Sequence, residues 1–194
     1  MEADNLLVER AKQGDMTAFS ELVVRHQKSL LRLAFRVVRD LQTAQDVVQE
    51  SFFKAHQKLK SFEGRSAFKS WIFQIALNTA KNKLRARSFD TVDLEKTPVS
   101  DGVDIEEAMM NDDLKVMIQS EIEKLPTKQR TALNLRIFED LSFAEIAEVM
   151  ACPYDTAKAN YRHALMKLRH QLSESLVVEG WHNQQTRNLM EADA

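Results

Sequence analysis

LPTKQRTALNLRIFEDLSFAEIAEVMACPYDTAKANYRHALMKLRHQL, residues 125–172, is the stretch on which the reading of this chain turns. Apolar periodicity arrives with Val116 or Met117, Ile118, Ile122 and Leu125 and stops at Pro126. It resumes from Thr127 to Phe138 around Ala132, Leu133, Leu135 and Ile137. Ser142-Phe143-Ala144-Glu145 then spells a capping box, a hydroxyl followed three residues later by a carboxylate, and predicts a short helix through Met150. A turn from Ala151 to Asp155 contains Pro153, with Asp155 placed as a helix cap. A last helix follows from about Thr156 to Leu172, with Tyr161, Ala164, Leu165, Leu168 and Leu172 inward. A short capped helix, a brief turn and a longer helix make a helix-turn-helix, whose second helix enters the major groove of DNA.

Charge supports that use. Between Thr156 and Leu172 stand Lys158, Arg162, Lys167, Arg169, two histidines and no acid, whereas the preceding helix carries Glu145 and Glu148. Thr156 is placed to donate to a phosphate and Lys158 to neutralise one, while Arg162 has the reach for a bidentate guanine contact. Ala159, His163 and Lys167 complete the candidate face, although His163 reads more readily as a solvated polar residue than as a contact. A basic helix that merely closes a bundle would show the same spacing.

Upstream, Phe19, Leu22, Val23, His26, Leu30, Leu33, Ala34 and Val37 follow one helix face, with Asp15 as cap after Gly14. A second helix from near Thr43 turns Val48, Phe52, Ala55 and Leu59 inward and ends before a loop, Ser61 to Ser66. A third runs from about Ala67 to Arg87 with Phe68, Trp71, Ile72, Ile75 and Ala76 buried. With a short helix from about Leu6 to Lys12 these make one bundle over residues 1–88. Residues 89–113 hold nine acids against one base, Lys96, plus Pro98 and Gly102; they read as an acidic linker, helical at most after Asp104. The second domain is expected at 114–172, and the tail 173–194 is left without a role.

Composition agrees with an all-α, two-domain chain. Its 194 residues contain only four Gly and three Pro, too few for the tight turns of an all-β fold. The single cysteine, Cys152, forms no internal disulfide and fits a reducing compartment. Acids precede the first base at the N-terminus, and no run approaches the roughly 20 apolar residues of a membrane span. A cytoplasmic protein with no direct membrane insertion is expected. The net charge of -2 conceals strong partition between acidic linker and basic helices. There is no Gly-rich phosphate loop and no metal-ligand cluster, and the five histidines are scattered, so no catalytic residue, metal or cofactor is expected.

Residues 125–172 resemble region four of bacterial sigma factors of the extracytoplasmic-function (ECF) group, through the Leu-Pro start, Arg130, LSFAEIAEVM, the Pro-containing turn and the Thr-x-Lys opening of the last helix. The stretches LVVRHQKSLLRLAFRVVRD, DVVQESFFKAHQKLKSF and AFKSWIFQIALNTAKNKLRA look like the successive region-two helices of the same group, in the same order. The resemblance spans most of residues 5–172.

It implies a non-enzymatic transcription initiation protein that binds core RNA polymerase, duplex promoter DNA and a melted non-template strand, and is itself held by an anti-sigma factor. Asp46, Gln49, Glu50 and Phe53 would face the polymerase, an apolar anchor within a charged rim. On residue chemistry alone Phe53 equally suits the bundle interior. The minus-ten strand would meet Phe62, Gly64, Arg65 and Ser66 in the loop and Asn78, Lys81, Asn82 and Arg85 on the third helix, whose bases run unopposed by acids. Phe62 reads equally as core, and Trp71 lies on the apolar stripe. The minus-thirty-five element would meet the face from Thr156 to Lys167. There the family's usual Gly, Ser-Arg and Arg-Ala-Arg are replaced by Asp155, Ala159-Asn160 and His163-Ala164-Leu165, so the target sequence is left open. The alternatives are a sigma-like decoy that titrates an anti-sigma factor, or a helix-turn-helix regulator. Decoys of this type carry a phosphoreceiver domain, for which the chain has no pattern.

Overall fold

The computed structural model describes residues 3–90 and 112–178, and side chains of 3–86 and 117–173. Among the described residues the regular structure is helical, with no strand: α1 Asp4–Lys12, α2 Met16–Val38, α3 Leu41–Lys58, α4 Phe68–Asp90, α5 Asp112–Lys124, α6 Thr127–Ile137, α7 Phe143–Met150 and α8 Tyr154–Val178, with one 3-10 turn at Leu59–Ser61. Most of the expected linker, 91–111, and the tail beyond 178 lie outside the described residues.

Local chemistry explains the boundaries. Gly14, at φ +98°, turns the chain between α1 and α2 in a conformation that L side chains resist. Asp15 then accepts from the backbone N–H groups of Thr17 (2.9 Å) and Ala18 (3.1 Å), while Arg10 holds the same carboxylate at 2.7 Å. Helix α2 ends at Arg39 in the left-handed region, and Asp40 caps α3 by accepting from Thr43 N–H at 2.7 Å. The second helix therefore begins at Leu41, ahead of Thr43.

The chain forms two compact units. The first comprises Met1–Asp101 with Asn134–Ala157; the second comprises Gly102–Leu133 with Lys158–Ala194. In the first, α2 packs on α1, α3 and α4, and α7 packs on α4. Phe19, Leu22, Leu30, Leu33, Ala34 and Val37 of α2 are buried as expected, and half-buried Val23 flanks them. On α3 Val47 replaces Val48 as the fully buried residue, while Phe52, Ala55 and Leu59 point inward. Helix α4 departs furthest from a single stripe: Phe68, Ile72 and Ala76 are joined by Phe73, Leu77 and Ala80, whereas Trp71 and Ile75 are only half-buried. A helix covered from two sides buries more than one face.

In the second unit Ile122, Leu125, Leu133, Ala164 and Leu168 form a core, with Ile118, Tyr161 and Leu165 against it. The end of α6 belongs to the first unit; there Ile137 is exposed, against the expected pattern, and Asn134 is buried. Helix α8 begins at Tyr154, two residues early, so Asp155 lies inside its first turn and is not its cap. It also continues to Val178, into the segment taken as tail.

Candidate nucleic-acid and partner surfaces

Asp46, Gln49, Glu50, Phe53 and Lys83 line one shallow groove. Phe53 is 61% exposed, which settles its position in favour of the surface. Lys54 holds Glu50 at 2.6 Å from within α3, and Lys83 reaches it from α4 at 3.2 Å. The Lys54 hydrogen bond, seconded by that from Lys83, keeps the Glu50 carboxyl below the ordinary glutamate range. Lys54 also donates to Thr79 at 3.1 Å, tying the rim to α4. An ionised, positioned carboxylate thus stands beside an exposed aromatic ring. Lys83 was read from sequence only as one of the bases of α4, because spacing along one helix says nothing about a neighbour on another.

The loop between α3 and α4 carries the second group. Gly64 sits at φ +71°, and beyond its two chain neighbours no described atom lies within 4 Å of where a Cβ would be, leaving open space on that side. Arg65 is exposed and pairs with Glu63 at 2.5 Å; Ser66 is half-buried. Phe62, only 7% exposed, packs 4.6 Å from Trp71 and 6.3 Å from Phe68 (ring centroids). Its core alternative is thus what the packing displays, and Phe62 supports the loop from beneath. Asn78, Asn82 and Arg85 are exposed on α4, and Lys81 is half-buried.

In the helix-turn-helix the capping box is complete: Ser142 Oγ accepts from Glu145 N–H at 3.3 Å, and the Glu145 carboxylate accepts from Ser142 N–H at 2.8 Å. The hydrogen bond from the Ser142 side chain lowers the Glu145 carboxyl. Ala151 takes the left-handed conformation that ends α7, and Cys152 N–H closes onto Ala147 C=O at 3.0 Å. On α8, Thr156, Lys158, Ala159, Arg162, His163 and Lys167 are all exposed.

A fourth cluster escaped sequence reading. Glu139, in the turn after α6, has a side chain only 2% exposed, with Arg32 Nε at 3.6 Å and Arg36 Nη1 at 3.7 Å from its Oε1. Lys69 donates to its backbone carbonyl at 2.7 Å. Burial pushes the Glu139 carboxyl up and the Arg36 guanidinium down to about 10. The partners of Glu139 lie 70 to 107 residues away in sequence, so no local pattern announces them.

Two family profiles match in series: Sigma-70 region 2 over residues 22–89 and Sigma-70, region 4 over residues 115–168. The RNA polymerase sigma-H factor of Pseudomonas aeruginosa is 43% identical over 169 residues, covering 81% of this chain and 88% of that protein. The ECF RNA polymerase sigma-E factor of Escherichia coli K12 is 40% identical over 167 residues, covering 80% and 87%. The fold is similar to that of CnrH in complex with the cytosolic domain of CnrY (TM-score 0.68, 24% identity, 89% of this chain and 99% of that one). It is likewise similar to RpoE in complex with the anti-sigma factor NepR from Bartonella quintana (TM-score 0.65, 23% identity, 80% and 96%). These findings define a DNA-binding transcription initiation factor. The chain belongs to the sigma-70 family, in its extracytoplasmic-function group.

Proposed function

We propose that this sigma factor docks on core RNA polymerase through Asp46, Gln49, Glu50 and Phe53. The observation that carries the reading is Phe53, exposed beside a Glu50 held ionised by Lys54 and Lys83. A desolvatable ring inside a charged rim is the anatomy of an interface anchor. Promoter opening then falls to the loop Gly64-Arg65-Ser66, supported from beneath by Phe62, and to Asn78, Lys81, Asn82 and Arg85. Cationic groups there neutralise the backbone, and amides address unstacked bases. The face Thr156, Lys158, Ala159, Arg162, His163 and Lys167 reads the minus-thirty-five duplex.

An anti-sigma factor holds the chain in check by covering its polymerase-binding face; RpoE from Bartonella quintana, similar in fold, is in complex with such a factor. The chain works in the cytoplasm as a non-catalytic subunit; no described helix is long and apolar enough to cross a membrane. Residues 89–113 tether the two DNA-binding parts. The test is reconstituted transcription with core polymerase on a promoter library. Specific, sigma-dependent transcripts are expected; binding to core polymerase without opening any promoter would leave the decoy reading in its place.

A further inference from the structure

The basic run of α4 divides between two faces. Asn78, Lys81, Asn82 and Arg85 stand at intervals that place them on one side of the helix. Lys83 lies about 100–160° around the helix axis from each of them. It shares its side with Thr79, one turn earlier, and both meet α3. Lys83 Nζ stands 3.2 Å from Glu50 Oε2, and Thr79 Oγ1 accepts from Lys54 Nζ at 3.1 Å. Glu50 and Lys54 are in turn one turn apart on α3, paired at 2.6 Å through Glu50 Oε1. Two residues of each helix thus form a cross-linked set, and each oxygen of the Glu50 carboxylate faces a cation from a different helix. Lys83 also lines the groove of Asp46, Gln49, Glu50 and Phe53.

We propose that Lys83 serves polymerase docking and not DNA, as a positioning residue that fixes the Glu50 carboxylate in the docking groove. This rests on the reading of that groove as the polymerase-binding face. Glu50 has a long side chain that turns freely about its own bonds, and a cation on its own helix steadies one oxygen only. Lys83 steadies the other from α4, which sets the plane of the carboxylate and its place beside the exposed Phe53 ring.

In the free chain the pair contributes little to stability, because the side chains of Lys83 and Glu50 are 32% and 39% exposed and water screens them. Docking changes that balance. As a partner covers Phe53, water leaves the groove and the attraction between ammonium and carboxylate strengthens. A Glu50 that has lost Lys83 would then enter the dry interface with one cation in place of two. Loss of Lys83 is therefore felt in the complex far more than in the free protein.

The experiment measures affinity for core polymerase by anisotropy of the labelled full chain, beside urea denaturation and the salt dependence of binding to a pool of short randomised single strands. Lys83→Gln is expected to weaken core binding by about tenfold, with the denaturation midpoint and the salt slope of strand binding unchanged. Lys83→Arg, which keeps the charge and reach, is expected to restore core affinity. In a Glu50→Gln background, Lys83→Gln is expected to cause no further weakening, since its effect passes through the carboxylate. Unchanged core affinity in Lys83→Gln, or an equal loss in the Glu50→Gln background, overturns the positioning role. A strand-binding slope made shallower by about 0.7, the mark of one lost phosphate contact, returns Lys83 to the DNA face. If Phe53→Ala and Glu50→Gln both leave core affinity unchanged, the reading of the groove itself fails and takes the role of Lys83 with it.

Discussion

The ring of Phe62 lies 4.6 Å from that of Trp71, tilted by 31°, with Phe68 edge-on to Phe62 behind it. An aromatic stack at the root of the Gly64 loop ties the loop's shape to the bundle's core. Phe62→Ala should therefore destabilise the folded chain by about 3–5 kcal/mol, the usual cost of emptying a buried aromatic site. Urea denaturation followed by helical circular dichroism measures it. A Phe62 that served only as a DNA contact would leave the midpoint unchanged.

Phe53 makes the opposite case. With its ring 61% exposed, Phe53→Ala should move stability by no more than about 0.5 kcal/mol. Affinity for core polymerase should fall by at least about 2 kcal/mol, the scale of an interface hot spot. Fluorescence anisotropy of labelled protein against core polymerase, beside a denaturation curve, separates the two effects. A large loss of stability with unchanged affinity would return Phe53 to the core.

Two carboxylates of opposite shift shape the response to pH. Glu50 is lowered by its lysines, so its contribution is present above the unfolded value, about 4.3, and is lost as pH falls through the lower folded value. It is partly exposed, which keeps the contribution below about 1 kcal/mol. Glu139 is raised by burial; below the unfolded value it costs nothing, and stability declines as pH rises through the raised folded value. Glu50→Gln should flatten the acid limb of a stability-against-pH curve, and Glu139→Gln should remove the decline above the unfolded value. Denaturation midpoints across that range check both; an unchanged profile in either variant contradicts the corresponding assignment.

Lys81→Ala with Arg85→Ala should weaken promoter opening while leaving core-polymerase binding intact. If both side chains meet single-strand phosphates, the slope of log affinity against log salt should become shallower by about 1.4. Open-complex formation measured at several salt concentrations gives the slope. Loss of core binding in this variant would move the pair to the polymerase face.

Much of the architecture was legible because it is written in short-range chemistry. Asp15 and the Ser142–Glu145 box cap the helices that follow them, and each needs only a neighbour within three residues. The α2 stripe from Phe19 to Val37 was equally plain, since one helix face met one core. Legibility failed where a helix meets more than one neighbour. Phe73 and Leu77 break the single-stripe pattern of α4, a helix that packs on α2, α3 and α7 at once. Ile137 and Val48 follow the apolar period yet lie outside the deepest core, because burial depends on what stands opposite. Asp155 has the chemistry of a cap, but Tyr154 had already entered the helix.

The residues by themselves determined that the chain is helical, where its helix-turn-helix lies, and which side chains are candidates for DNA and for a partner. Local hydrogen bonding and helical period carry that information. Tertiary structure alone decided that Phe53 points outward, that Phe62 is buried with Trp71, that Lys83 joins Lys54 on Glu50, and that Glu139 is enclosed by Arg32, Arg36 and Lys69. Each of these depends on which faces of distant helices meet, and burial, not sequence spacing, sets the charge and exposure of the groups that result.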